Sequence, residues 1–150
     1  MYDNVAMAAV SSMFIRDLPA IGTEWPGQGG VFAGLVRGEN GAKDYLLILG
    51  PEYDGETDWN TAMKWAADLR SADADPDAAH HGDYSLPTRA EQAVLLGNLR
   101  DLFQRDWYWS NTQRAEYAAC AWYQYFGNGY QDDYRKDNEF RARAVRRLAI

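Results

Sequence analysis

Between Thr88 and Trp107 the chain changes its hydrophobic period, and that change restricts its architecture more than any other feature. Over "RAEQAVLLGNLRDLF" the apolar residues Ala90, Val94, Leu95, Leu99, Leu102 and Phe103 recur every three or four positions, the spacing of one helix face. Thr88, with Glu91 three residues on, forms a capping box in which each side chain satisfies the other's backbone amide. A helix is predicted from Arg89 to Phe103. From Trp107 onward the repeat is two: "WYWSNT", "AACAWYQYF", "GYQDDY" and "RARAVRRLAI" are predicted short strands separated by Asn, Gly and Asp turns.

Upstream, "GGVFAGLVRGENGAKDYLLILG" predicts a β-hairpin. Two runs rich in Val, Leu and Ile flank Asn40-Gly41, a pair that accepts the positive φ angles of a tight turn. "TDWNTAMKWAADLR" places Trp59, Ala62, Met63, Ala66 and Leu69 at helical spacing behind Thr57 or Asp58 as N-cap. The stretch "SADADPDAAHHGDY" has no period and is predicted to be a surface loop. A hairpin, two helices and then a run of strands predict an α+β domain whose N- and C-terminal strands share a sheet.

With 150 residues, of which 47% are hydrophobic, the chain holds one domain's worth of sequence. Runs such as "YLLILG" are far shorter than the roughly 18 to 20 residues that cross a bilayer, so membrane insertion is not expected. The opening "MYDNVAMAAVSSMFIRDLPA" lacks a basic leader and carries Asp3, which makes it a poor secretory signal; residues 1–24 are expected to be an amphipathic segment. Cys120 is the single cysteine, which excludes an intrachain disulfide and a Cys-rich zinc site. Residues 1–106 carry 8 Lys and Arg against 17 Asp and Glu, net −9, and residues 107–150 carry 7 against 5, net +2. Such an acidic body repels phosphate, so a nucleic-acid partner is not expected.

Catalytic and metal chemistry find little support. Asp73 to Asp77, "DADPD", opens like a calcium loop, but Ala78 stands where the turn glycine belongs and Tyr84 where the bidentate Glu belongs. The adjacent His80 and His81 diverge and have no third ligand in view, so no metal is expected. Cys120, set between small residues in a strand pattern, fits a small core position better than a nucleophile. The glycines of "WPGQGG" match neither a phosphate-binding loop nor a dinucleotide fingerprint, so no cofactor is expected.

The segment Trp107–Tyr134 holds three Trp and six Tyr among Asn, Gln, Asp and Arg. Alternation along Ala118 to Phe126 assigns Cys120, Trp122 and Phe126 to one face and Tyr123 and Tyr125 to the other. Stiff aromatic rings mixed with adaptable polar groups are the chemistry of recognition loops. The same mixture also suits tyrosines that merely cap a small, wetted sheet. The recognition reading expects Tyr108, Asn111, Arg114, Tyr117, Tyr123, Tyr125, Asn128, Tyr130, Asp132 and Arg135 to stand outward, with Trp109, Trp122 and Phe126 holding the sheet beneath.

Four motifs in order, "LILGPE", "LPTRAEQ", "WYWSNTQ" with "AWYQYFGNGYQ", and "RARAVRR", resemble the Lcl C-terminal domain family, named for a Legionella collagen-like protein and frequent in phages and prophages. The resemblance spans about Trp25 to Ile150 and implies a C-type-lectin-like ligand-binding domain over 25–150: terminal strands paired, two helices, and a small irregular second sheet bearing the ligand face. Some proteins of the wider lectin-like group are variable proteins of diversity-generating retroelements, diversified at ligand-facing positions, and the Asn, Tyr, Asp and Arg mixture here looks like such a segment. The chain lacks the Glu-Pro-Asn, Gln-Pro-Asp and Trp-Asn-Asp motifs of calcium-dependent sugar binding, and its single cysteine cannot supply the pair of the formylglycine-generating enzymes. Fold alone carries no activity across. The function expected is non-enzymatic recognition of a protein or glycan by a phage or prophage protein, located in the bacterial cytoplasm or the phage particle. A small acidic inhibitor of a host cytoplasmic protein is the alternative, and assembly into a homo-oligomer stays open.

Overall fold

The computed structural model describes residues 17–70 and 81–150. Among them are two α-helices and two antiparallel sheets, an α+β arrangement. Strands β1 (Glu24–Trp25), β2 (Gly30–Val36), β3 (Tyr45–Glu52) and β7 (Arg143–Ala149) form the larger sheet in the order β1-β2-β3-β7. Strands β4 (Trp107–Gln113), β5 (Cys120–Tyr125) and β6 (Gln131–Arg135) form the smaller. The C-terminal strand thus returns to the N-terminal sheet, and pairs with β3 from Tyr45↔Ala149 to Glu52↔Arg143.

β3 is a continuous apolar run because both of its faces are covered. Leu47 and Leu49 face the cluster built on α2 (Arg89–Leu99), and Leu46 and Ile48 pack with Phe32, Leu18, Trp25 and Leu148 on the opposite side. The hairpin between β2 and β3 turns as its sequence predicts. Asn40 and Gly41 adopt φ of 55° and 84°, and the Ala42 N–H donates to the Glu39 carbonyl at 3.0 Å.

α1 (Trp59–Asp68) is capped by Asp58, whose carboxylate accepts the Thr61 N–H at 2.9 Å, so of the two candidate caps the chain uses Asp58. α2 carries the full capping box: the Glu91 N–H donates to Thr88 Oγ1 at 3.0 Å and the Thr88 N–H to Glu91 Oε1 at 2.9 Å. The helix stops at Leu99 instead of Phe103, because Arg100–Leu102 tightens into a 3-10 turn. Its buried stripe also differs from the apolar pattern. Glu91, Gln92, Leu95 and Leu99 are buried while Ala90 is exposed.

That shift has a physical reason. Glu91 has no exposed surface, and Arg147 of β7 binds it through both carboxylate oxygens, Nε and Nη2 each at 2.7 Å, with the Tyr45 hydroxyl donating as well. Burial pushes the Glu91 carboxyl up, but the bonds and charge of Arg147 and the Tyr45 hydroxyl outweigh it and hold the group below its ordinary value. Gln92 reaches the other way and donates to the carbonyls of Tyr108 and Trp109 at 3.1 and 3.3 Å, tying α2 to the smaller sheet. The segments that lead into α1 and into β7 are joined where Thr57 and Phe140 exchange backbone hydrogen bonds of 2.8 and 3.0 Å.

Of the segment 1–24, residues 1–16 lie outside the described residues, as do residues 71–80 with the Asp73–Asp77 sequence and His80. Tyr84 is described: it is buried, and its hydroxyl donates to the Gly29 carbonyl at 2.6 Å. His81 Nε2 is hydrogen-bonded to the Gly27 carbonyl at 2.8 Å. Among the described residues no helix is long and apolar enough to cross a membrane.

Candidate functional site

The strand register divides the aromatic segment between two faces of the smaller sheet. Trp107 lies opposite Tyr125, Trp109 opposite Tyr123, Tyr123 opposite Asp132 and Ala121 opposite Tyr134, so these residues share one face. Tyr108 lies opposite Gln124, Gln124 opposite Gln131 and Trp122 opposite Asp133 on the other, which turns toward α2.

On the α2 side the sheet is sealed by amides. The Gln124 side chain donates to the Gln92 carbonyl at 2.7 Å, and Gln131 donates to Gln124 Oε1 and to the Arg89 carbonyl, both at 2.9 Å. Tyr108 is 1% exposed and belongs to the core, contrary to the outward position expected of it. Its ring packs on Phe103 and Phe126, and its hydroxyl donates to Glu52 Oε1 and accepts the Gln104 N–H, each at 3.0 Å. Phe126 and Trp109 are buried as expected, and the Trp109 indole donates to the Thr57 carbonyl at 2.9 Å. Trp122 is not core: it is half-buried, with the Arg89 guanidinium 3.5 Å from its ring centre and that of Arg114 at 5.2 Å. Cys120 is half-buried too.

Arg114 is tied to Asp133 and Glu116, each at 2.8 Å, and Tyr117 stands beside it, 61% exposed. Asn111 bonds the Pro87 carbonyl through its backbone N–H at 2.8 Å and accepts the Thr112 hydroxyl at 2.9 Å. Arg135, exposed at the end of β6, pairs with Asp137 at 2.8 Å. These residues lie apart from the second group, which the fold does bring together.

Asp106, Trp107, Tyr123, Tyr125, Asn128 and Tyr130 line a single concavity of about 420 Å³. Trp107 and Tyr130 are 42% and 57% exposed, and Tyr123, at 8%, forms the floor instead of an outward anchor. The indole of Trp107 stands 5.6 Å from the Tyr123 ring at 39° and 6.4 Å from the Tyr125 ring at 74°. Adjoining rings at steep angles make the walls of a corner. Trp107 is braced from behind by Phe140, edge to face at 5.3 Å.

The turn between β5 and β6 sets this corner. Tyr125 and Tyr130 are joined by the Tyr125 N–H on the Tyr130 carbonyl at 2.8 Å, and Asn128 Oδ1 accepts the Tyr130 N–H at 2.9 Å. Glycine at 127 lets the Tyr125 ring lie across the backbone there, since a Cβ would force that ring to move. Asp132 stands beside the concavity, accepting the Tyr130 hydroxyl at 3.0 Å and its neighbour's N–H, Asp133, at 2.8 Å. Those hydrogen bonds hold its carboxyl below the ordinary value. The Tyr123 hydroxyl is pushed up, first by burial and then by the negative charge of Asp132, and that of Tyr130 by its bond to Asp132.

Three contributors escaped the sequence reading: Asp106 and Trp107, which line the concavity, and Tyr134, 49% exposed on the same face. The signal for Trp107 lay in its own alternation, since it shares a face with Trp109 and lies at the strand's open end. Among the described residues no three His, Cys, Asp or Glu side chains converge to hold a metal ion. The chain matches no protein-family model and no curated protein.

Proposed function

We propose that the chain is a non-enzymatic recognition domain of C-type-lectin-like architecture, of the phage or prophage kind, that binds a protein or glycan through the open face of its smaller sheet. The observation that carries this reading is the corner of Trp107, Tyr123, Tyr125 and Tyr130, rimmed by Asp106 and Asn128. Aromatic rings held stiff by their neighbours lose little entropy on binding, and polar groups at the rim supply direction. The C-type-lectin-like assignment rests on the four sequence motifs and agrees with a C-terminal strand that joins the N-terminal sheet beside a separate three-stranded one.

The test is a peptide display library and a glycan array probed with the wild-type protein and with Trp107→Ala/Tyr130→Ala. Ligands selected by the wild type should lose roughly 30-fold or more in affinity for the variant, the weight of about 2 kcal/mol expected of anchor residues. Selected ligands that bind both proteins equally would remove this face from the function.

A further inference from the structure

We propose that the corner of Trp107, Tyr125 and Tyr130 receives a positively charged side chain, the ammonium of a lysine or the guanidinium of an arginine, presented by a protein partner. This names the ligand class of the recognition face above and rests on that reading.

Three features favour a cation over a neutral group. The first is shape. A sugar stacks on one broad ring, whereas a cation gains from several ring faces within about 6 Å. Here the Trp107 and Tyr125 rings meet at 74° with Tyr123 beneath them. The second is charge. No Lys or Arg lines the concavity, Asp106 stands on its rim, and the Tyr130 hydroxyl donates to Asp132. A phenol that donates to a carboxylate has a more electron-rich ring, which strengthens its attraction for a cation. Asp106 itself is engaged by Arg141 at 2.9 Å, but Asp132 forms no salt bridge among the described residues and feels Arg114, the partner of Asp133, only at a distance.

The third is that several aromatic rings of the chain carry one of its own cations and these do not. Arg89 and Arg114 lie over Trp122, Lys136 lies 4.5 Å from the Trp59 ring centre, and Arg143 lies 5.4 Å from that of Phe103. Among the described residues no cation of the chain lies over Trp107, Tyr125 or Tyr130. The surplus of arginine near the C-terminus does not cancel the field, since Arg114, Arg135, Arg141, Arg146 and Arg147 are each paired with a carboxylate.

The experiment is an NMR titration at low salt that follows the Trp107 indole N–H. The probes are tetramethylammonium chloride, the N-acetyl methylamides of lysine, arginine and norleucine, and methyl α-mannoside. The cationic probes should shift the signal and saturate it in the millimolar range, at least about 5-fold more tightly than norleucine, the neutral isostere of lysine. Tyr130→Ala should weaken them about 5-fold or more, and Tyr130→Phe, which keeps the ring, should cost roughly 2-fold. Asp132→Asn should weaken them and flatten their salt dependence. Norleucine binding as well as lysine, or mannoside binding where the cations do not, would overturn the cation proposal and leave the recognition face standing. No shift from any cationic probe would also overturn it. The recognition reading itself falls only if the display and array ligands ignore Trp107 and Tyr130.

Discussion

Replacing Glu91 probes the joint between α2 and the larger sheet. Glu91 is fully buried, closes the capping box and takes two bonds from Arg147, whose side chain is 30% exposed. Glu91→Ala strands that guanidinium and should cost about 3 to 5 kcal/mol. That is a large share of the roughly 5 to 15 kcal/mol a domain possesses. At about 2 to 4 °C per kcal/mol for a chain of this size, a 4 kcal/mol loss lowers Tm by roughly 8 to 16 °C. Glu91→Gln keeps the shape and, with its oxygen toward Thr88, the cap, but it removes the charge and turns one acceptor of Arg147 into a donor, for about 1.5 to 3 kcal/mol. The sign with pH follows from the depressed carboxyl. Its stabilisation is complete above the unfolded value of about 4.5 and is lost as pH falls through the lower folded value. Urea unfolding of wild type and Glu91→Gln, followed by circular dichroism, should therefore show a constant gap from about pH 7 to 5 that closes on further acidification. A Glu91→Gln protein as stable as wild type at pH 7, or a gap that persists in acid, would refute the assignment of this energy to the ion pair.

Other substitutions separate scaffold from face. Thr88→Ala should lower stability by about 0.5 to 2 kcal/mol in the same assay through loss of the N-cap, and no loss would show that the cap bond is replaced. Trp109→Ala, in the sealed core, should cost about 3 to 5 kcal/mol. Trp122→Ala should cost clearly less, since arginines and not core cover its ring; equal losses would place Trp122 in the core after all. Tyr130→Ala should stay within about 1 kcal/mol of wild type, because its ring is mostly in solvent.

What the sequence disclosed follows from how local each cause is. Asn40-Gly41 and the Thr88 to Glu91 box act within four residues, and both turned out as expected. The strands after Trp107 were legible from alternation, but alternation names two faces without saying which is open. In β4 both are covered, Tyr108 by α2 and its 3-10 extension and Trp109 by Phe140 and Trp59. Those partners lie up to dozens of residues away, as does Glu52, which takes the Tyr108 hydroxyl. Trp122 looked like core because bulk and position are the same for a buried ring and for one roofed by Arg89. Grouping ten residues into one patch failed for a related reason: Arg114 and Tyr117 leave the sheet beside Trp122, while Tyr125, Asn128 and Tyr130 gather at the opposite end of β5.

The most direct measurement is where a bound cation sits. Intermolecular NOEs from the methyl protons of saturating tetramethylammonium should reach the ring protons of Trp107, Tyr125 and Tyr130, with Tyr123 next. The same NOEs should vanish in Trp107→Ala/Tyr130→Ala while that protein remains folded. NOEs to Trp122 and Tyr117 in their place, or none at a concentration that saturates the Trp107 signal, would contradict a cation site at this corner.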